Sequence, residues 1–350
     1  MRSGPGVKEL ATGVAIGVRV DIHLGGKVIA LDVPAGKVSL EVQGDRPVPE
    51  RLTYELPREF IPRYPHDVAN CFGQRSHVTV LQETRQGVRS TYLGQFVHGS
   101  KEASGWKETA DGVEVTAFGL LQLAADNPFA LPSSPERGAT LRSELERLSG
   151  MPVVLDNLKD FTIPSTLQWG YDRLAALTDL CKSYGLEHAV RNSGYLHVWQ
   201  PWSRREDARY TYRDILVDAP RQGLPRAPNV ITVVGSAGGE NSPQHVATVT
   251  SQDPPFHPST YGYITRRVEL SGSVTQAQVE AAAQQENLNI QLATHVRSIE
   301  IIPDPRIELG DVVAGETSTE ELGETIIGPV RAYSAVFEPE SSMRVDVEVS

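Results

Sequence analysis

Two small groups of residues in this sequence carry side chains that could do chemistry. His66 and Asp67 precede Cys71, and a thiol beside a histidine base would form a nucleophilic site. His188 and His197 could face each other across a hairpin and bind a metal ion. The first group follows a proline-rich stretch, and strand histidines more often contact solvent or a hydroxyl group. We therefore favour a structural role for both groups.

Carboxylates and tryptophans offer two further kinds of site. A glycosidase needs two facing carboxylates, and the last third of the chain offers Asp304, Glu308 and Asp311. A solvated acidic face is the favoured interpretation of these three residues. Trp199 and Trp202 could stack on a sugar or anchor a partner. We favour burial of Trp199 in the core of a middle domain, with Trp202 covering its edge.

The glycine-rich stretch 235–239 would be a phosphate-binding loop only if a helix followed it. Pro243 comes shortly afterwards, so we interpret the stretch as a surface loop. The sequence contains no HExxH, GxSxG, Walker, EF-hand or CxxC motif. We therefore assign no catalytic, cofactor-binding or metal-binding residue, and we expect no cofactor and no enzymatic activity.

The composition is that of a soluble globular protein. The 350 residues are 39% hydrophobic and 22% charged, and this length predicts two or three domains. The net charge is −11, and residues 221–350 contain 8 Lys and Arg against 17 Asp and Glu. This balance argues against a protein that grips nucleic acid. It suits a surface along which DNA slides, and equally a solvated face that aids solubility.

The sequence also bears on where the chain is made. No apolar run reaches the ~20 residues of a membrane helix, and the start of the chain lacks the apolar core of a signal peptide. We therefore expect folding in a cytoplasm and no membrane insertion. The two cysteines, Cys71 and Cys181, are expected to be reduced thiols.

Alternating hydrophobic residues predict a small antiparallel barrel or sandwich over residues 1–125. Residues 14–24 alternate with period two, and Gly25 and Gly26 supply a two-residue turn. Further strands are predicted at 28–33, 38–42, 52–56, 78–82, 88–97 and 113–120.

A linker and a small α+β domain are predicted over 126–205. The first helix of this domain ends before Gly150, and the second spans 167–184 with Ser165 or Thr166 as its N-cap. Strands at 186–190 and 195–199 would form a hairpin.

Residues 206–350 are predicted to form a second barrel-like domain with one helix. Thr275 and Gln278 form a capping box at the start of that helix. Strands are predicted at 229–234, 246–250, 263–270, 298–302, 326–337 and 343–349. The predicted fold class is therefore mainly β, with two small antiparallel β-barrel-like domains flanking a small α+β domain.

The order of these elements resembles the baseplate-hub, or tail-hub, family of tailed bacteriophages and related injection machines. The segments that carry the resemblance lie at 14–24, 38–42, 52–56, 92–96, 171–174, 184–186, 194–198, 228–233 and 309–313. The resemblance implies a structural subunit of a tail tip. Three copies would form a ring around the channel that joins the tail tube to the tip and passes the tape-measure protein and DNA.

The resemblance also implies partners and a location. Besides two further copies of itself, the chain would contact a tail-tube or distal tail ring protein, the tape-measure protein, and tip or fibre proteins. DNA would be a partner only in transit, and the chain would reside in the virion after assembly in the host cytoplasm. A cell-wall polysaccharide-binding or hydrolytic tail-associated protein is the alternative. A subunit of a bacterial injection apparatus or gene-transfer particle also stays open.

Overall fold

The computed structural model of the protein contains mainly β structure, as the sequence predicts. It describes residues 2–13, 15–200, 210–220, 226–236, 244–273, 275–293, 296–316 and 325–349. Within those ranges, no helix has both the length and the apolar character that crossing a membrane requires.

The N-terminal part is built from long, alternating strands. Its elements are α1 Val7–Leu10, β1 Ala15–Leu24, β2 Lys27–Ala30, β3 Gly36–Gln43, β4 Glu50–Pro57, β5 Gln74–Thr84, β6 Gly87–His98, β7 Trp106–Glu108, β8 Gly112–Gly119 and α2 Gln122–Ala125. In β1, Val20 and Ile22 are buried while Asp21 between them is partly exposed, which is the predicted alternation. Gly25 and Gly26 both adopt positive φ in the turn to β2, a conformation that favours glycine.

The middle part is a small α+β unit with its own apolar cluster. Its elements are α3 Leu141–Ser149, β9 Val153–Leu155, α4 Arg173–Ser183, β10 Glu187–Val190 and β11 Leu196–Trp199. Strands β10, β11 and β9 form a three-stranded sheet in that order. Leu141, Leu145 and Leu148 are fully buried on one face of α3. Gly150 ends that helix in the left-handed conformation, as predicted.

Helix α4 begins later than the sequence predicts. The predicted caps, Ser165 and Thr166, precede an extended segment in which Trp169 and Ser133 exchange two backbone hydrogen bonds. Backbone groups engaged in this pairing cannot also start a helix. Asp172 is the observed N-cap, and its Oδ1 accepts from the backbone N–H groups of the second and third helical residues at 2.8 and 3.1 Å.

We expect Asp172→Ala to destabilise the protein by about 1 kcal/mol, because two backbone donors at the start of α4 would lose their acceptor. The measurement is the urea midpoint of unfolding, followed by tryptophan fluorescence. Lys159→Ala, at a position outside the helices and strands, is the control and should leave the midpoint unchanged. Equal midpoints for Asp172→Ala and the unsubstituted chain would contradict the capping role.

The C-terminal part contributes strands to two different sheets. Its elements are β12 Tyr210–Tyr212, β13 Leu216–Asp218, β14 Val230–Ser236, β15 Gln244–Thr250, α5 Pro258–Tyr261, β16 Thr265–Ser273, α6 Gln276–Ala293, β17 Val296–Ile301, β18 Val312–Glu316, β19 Thr325–Val336 and β20 Met343–Glu348. The predicted capping box of α6 is confirmed, since Thr275 N donates to Gln278 Oε1 at 2.9 Å and Gln278 N donates to Thr275 Oγ1 at 3.3 Å. Strands β15, β14 and β16 form a separate sheet that packs against α6.

The two β-rich parts of the chain share one sheet. Its strand order is β13-β17-β20-β19-β3-β4-β8-β6-β5-β1-β2. The connection runs through β19 and β3, where Tyr333 lies opposite Val42. Residues from both parts form one apolar cluster, whereas residues between 227 and 290 form a smaller cluster of their own. The division into domains at 1–125, 126–205 and 206–350 stays a prediction.

Candidate functional site

The loop between β17 and β18 is almost entirely buried although it is rich in charge. It carries Asp304, Arg306, Glu308 and Asp311, and both aspartates have an exposed fraction of 0%. Buried charges require partners, so the loop must contain an organised polar structure. The expectation that the three carboxylates form a solvated acidic face is therefore wrong. Alternation and composition gave no sign that this connection folds inward.

Asp304 organises one end of the loop. Arg306 donates to it three times, from Nε at 2.8 Å, from Nη2 at 2.7 Å and from its backbone N–H at 3.0 Å. The Tyr212 hydroxyl donates to the same carboxylate at 3.1 Å. Burial, and then the charge of Asp304, raise the pKa of Tyr212 well above its ordinary value. The phenol therefore keeps its proton and remains a donor.

A second group of charges connects the three parts of the chain. We call Arg2, Glu50, Arg191, Glu308 and Asp311 the junction cluster. Arg191 Nη1 lies 3.4 Å from Glu308 Oε2, and Arg2 Nε lies 3.9 Å from Glu308 Oε1. Burial by itself would raise the pKa of Glu308, but the charges of Arg191 and Arg2 lower it below its ordinary value. Glu308 is therefore ionised and holds both arginines.

The turn between β10 and β11 is fixed to the large sheet at this cluster. Asn192 donates from its backbone N–H to Glu308 Oε1 at 3.4 Å and from Nδ2 to the Tyr92 carbonyl at 3.1 Å. Arg2 Nη1 donates to the carbonyls of Pro305 and Ile307 at 3.1 and 2.6 Å. The N-terminal segment, the middle unit and the buried loop are thus joined by the same few side chains.

Trp199 belongs to this junction. Its indole N–H donates to Glu187 at 3.1 Å, and Glu187 also pairs with Arg331 of β19 at 2.5 Å. A Cβ at residue 310 would lie 2.6 Å from the indole ring, so Gly310 permits the loop to pack on it. The predicted burial of Trp199 is confirmed, although it packs in the cluster of the large sheet. Trp202 lies outside the described residues.

A buried polar chain inside the N-terminal strands has the residue types of a nucleophilic site. The Tyr54 hydroxyl lies 2.9 Å from Ser76 Oγ, which lies 2.7 Å from His98 Nε2. His98 Nδ1 lies 2.8 Å from the Asn70 carbonyl. A carbonyl only accepts, so Nδ1 carries the proton and Nε2 accepts from Ser76.

This chain of hydrogen bonds is closed to substrates. Tyr54, Ser76 and His98 have exposed fractions of 1%, 0% and 2%, and burial lowers the pKa of His98 to about 4. The neutral imidazole therefore serves as a structural link between β4, β5 and β6. No sequence motif marks these residues, although the alternation in β5 places Ser76 on the buried face.

His66 and Asp67, which the sequence analysis considered and did not assign as a site, make local contacts within their loop. The Asp67 carboxylate accepts from the backbone N–H groups of Arg63 and Tyr64 at 2.6 and 2.7 Å. His66 stacks on the Tyr64 ring, with its Nε2 4.0 Å from Asp67. These contacts shape the loop before β5. Cys71 is an exposed free thiol at the end of this loop.

The two strand histidines do not face each other. In the β10–β11 register, His188 lies opposite Val198 and His197 lies opposite Ala189, so the imidazoles point to opposite faces of the hairpin. His197 Nδ1 instead lies 3.1 Å from Asp156. In the part of the chain that the structure describes, no group of three or more His, Cys, Asp or Glu could hold a metal ion. Of the glycine-rich stretch, residues 237–239 lie outside the described ranges.

No protein-family model matches the chain, and no curated protein matches it. Among solved structures, the chain is similar to the tail protein from Neisseria meningitidis MC58, with 12% identity and a TM-score of 0.63, over 95% of this chain and 96% of that one. The 43 kDa tail protein of prophage MuSo2 from Shewanella oneidensis gives 12% identity and a TM-score of 0.56, over 94% and 98%.

A third match is a chain of the PdpA-VgrG complex of Francisella. Its identity is 10% and its TM-score is 0.54, over 96% of this chain and 58% of that one. The similarity to both tail proteins spans nearly the whole length of each chain. The resemblance seen in the sequence is thereby confirmed at the level of architecture: this chain has the fold of phage-type tail proteins.

Proposed function

We propose that the chain is a structural hub subunit of a phage-type tail tip. Three copies form a ring around the channel that joins the tail tube to the tip and passes the tape-measure protein and DNA. The observation that carries this proposal is the fold shared with two tail proteins over nearly the full length of all three chains. The proposed location is the tail tip of the virion, with a tail-tube or distal tail ring protein and tip or fibre proteins as neighbours.

The large sheet offers the contacts that a ring needs. Among the described residues, its strand order ends at β13 on one side and at β2 on the other. Strand β2 pairs only with Ile22–Leu24 of β1. In the described register, Ala15–Arg19 of β1 therefore pairs with β5 on one side and has an open edge on the other. Open sheet edges are templates for another strand. Joining one end of the sheet to the opposite end of the next copy is a head-to-tail contact, and such contacts form a ring when the rotation between copies closes.

The ionic contacts between segments, most of them buried, suit a part whose units keep a fixed arrangement. The junction cluster, the Asp304–Arg306 pair and the Glu187–Arg331 pair tie strands, turn and loop together. A polysaccharide-binding or hydrolytic protein is the alternative function. Its candidate carboxylates are buried, so among the described residues they give it no support.

We expect purified protein, mixed with its tail-tube neighbour, to form rings of three-fold symmetry with a central hole in electron micrographs. For the purified chain without the neighbour, light scattering in solution should give three times the 38.2 kDa of one chain. A monomer that never assembles, even with the neighbour present, would overturn the hub proposal.

A charged edge variant makes this test sharper. Val217 on β13 is 60% exposed, and Val217→Lys should block strand pairing at that edge while leaving the fold intact. Val88→Lys is the matched control, because Val88 is 67% exposed but lies beside the β5–β6 turn. We expect rings from the control and monomers from Val217→Lys, with the same circular dichroism spectrum for both.

A further inference from the structure

Glu50 is a partly buried residue of the junction cluster, and one oxygen of its carboxyl group points into the interior. It begins β4 beside the end of β8, and a Cβ on Gly119 would lie 2.1 Å from its Oε2. The carboxyl group therefore lies directly against bare backbone. Oε2 is inaccessible to solvent and has no hydrogen-bond partner within the described ranges. An ionised oxygen in such a position is strongly destabilised.

Charged and titratable groups face Glu50 from four parts of the chain. Arg2 of the N-terminal segment and Arg191 of the middle unit favour its ionised form, whereas Glu308 of the buried loop opposes it. Tyr333 of β19 also interacts with the Glu50 charge. Both arginines already pair with Glu308. Burial is the largest influence, and it raises the pKa of Glu50 to about 7 although a hydrogen bond from the Glu50 backbone N–H favours the ionised form.

We propose that Glu50 is a proton-dependent latch between the middle unit and the large sheet. In the closed junction at pH 5 its carboxyl group is protonated and neutral. When the β10–β11 turn separates from the buried loop, water reaches the carboxyl group, which releases its proton to solvent and becomes an anion. The anion then opposes closure until it is protonated again.

The direction of the pH effect follows from the raised pKa. Between the ordinary value of 4.5 and about 7, the closed state binds a proton that the open state does not hold. Closure therefore weakens as the pH rises through this window, and the effect levels off above it. One proton per opening means at most a tenfold change per pH unit, so the opening equilibrium constant should rise about 40-fold between pH 5 and pH 7.

Hydrogen exchange followed by mass spectrometry tests this proposal on the full chain. Exchange of peptides covering the β10–β11 turn and the buried loop is measured at pH 5, 6 and 7, with correction for intrinsic rates. The chain with Glu50 should lose protection as the pH rises, whereas Glu50→Gln, which is neutral throughout, should not. Glu83→Gln, at an exposed position of β5, is the matched control and should behave like the unsubstituted chain.

A second variant tests the same idea without removing the acid. Gly119→Ala introduces a methyl group where Oε2 lies, so the carboxyl group must move away and the pH effect should shrink. Circular dichroism establishes that each variant is folded. Identical pH dependence in the unsubstituted chain, Glu50→Gln and Gly119→Ala would overturn the latch, as would protection in the unsubstituted chain that is constant from pH 5 to pH 7.

Discussion

Replacing Asp304 by asparagine should lower the free energy of unfolding by roughly 3–5 kcal/mol, because removing one partner of a buried ion pair leaves the other charge uncompensated. The Arg306 guanidinium would then be buried beside a neutral amide, and Tyr212 would lose a charged acceptor for its hydroxyl group. Urea unfolding followed by tryptophan fluorescence at pH 7 measures the loss.

An exposed ion pair provides the control for Asp304. Lys37 and Glu55 lie 3.0 Å apart, but the lysine side chain is largely exposed. Glu55→Gln should therefore change the free energy of unfolding by less than about 1 kcal/mol. Similar losses for Asp304→Asn and Glu55→Gln would show that the buried loop is not held together by its ion pair.

Acidification should weaken the protein through His98. In the folded state the pKa of this imidazole is about 4, against an ordinary value of 6.5. Between pH 4 and pH 6.5 the unfolded chain therefore binds a proton at His98 that the folded chain does not bind. Stability contributed by the neutral imidazole is complete above pH 6.5 and is lost as the pH falls towards 4. The difference in pKa corresponds to about 3 kcal/mol.

The measurement for His98 compares two proteins at each pH. The stability advantage of the unsubstituted chain over His98→Gln should shrink by about 3 kcal/mol between pH 7 and pH 4. The opposite contribution of Glu50 is common to both proteins and cancels. His66→Gln is the control, because the His66 side chain is 76% exposed. A stability difference that stays constant with pH would contradict the burial of a neutral His98.

Local patterns predict much of the secondary structure. The alternation in β1, the leucine face of α3 and the capping box of α6 each depend on residues within one or two turns, and all three are confirmed. Helix α4 shows where such reasoning fails. Ser165 and Thr166 are good caps by type, but pairing of their neighbours with the segment around Ser133 moves the helix start to Asp172.

Contacts between distant segments could not be predicted in this way. The pairing of Tyr333 with Val42 has no local signal, because either strand could pair with any suitable edge. The junction cluster has the same origin, since Arg2, Arg191 and Glu308 come from three separate segments. Composition identified Asp304, Glu308 and Asp311 as acidic residues, but only the folded chain shows that they are buried beside arginines.

The β3–β19 pairing has a consequence for biosynthesis. A ribosome releases β3 well before its partner β19, because the middle unit and the sheet of β14, β15 and β16 are made between them. Until then the backbone of β3 has no pairing strand along one edge, at residues that include Leu40 and Val42. The nascent chain therefore has to be kept from pairing with its neighbours on a polysome, and synonymous codons that slow elongation after residue 200 should increase the fraction that aggregates.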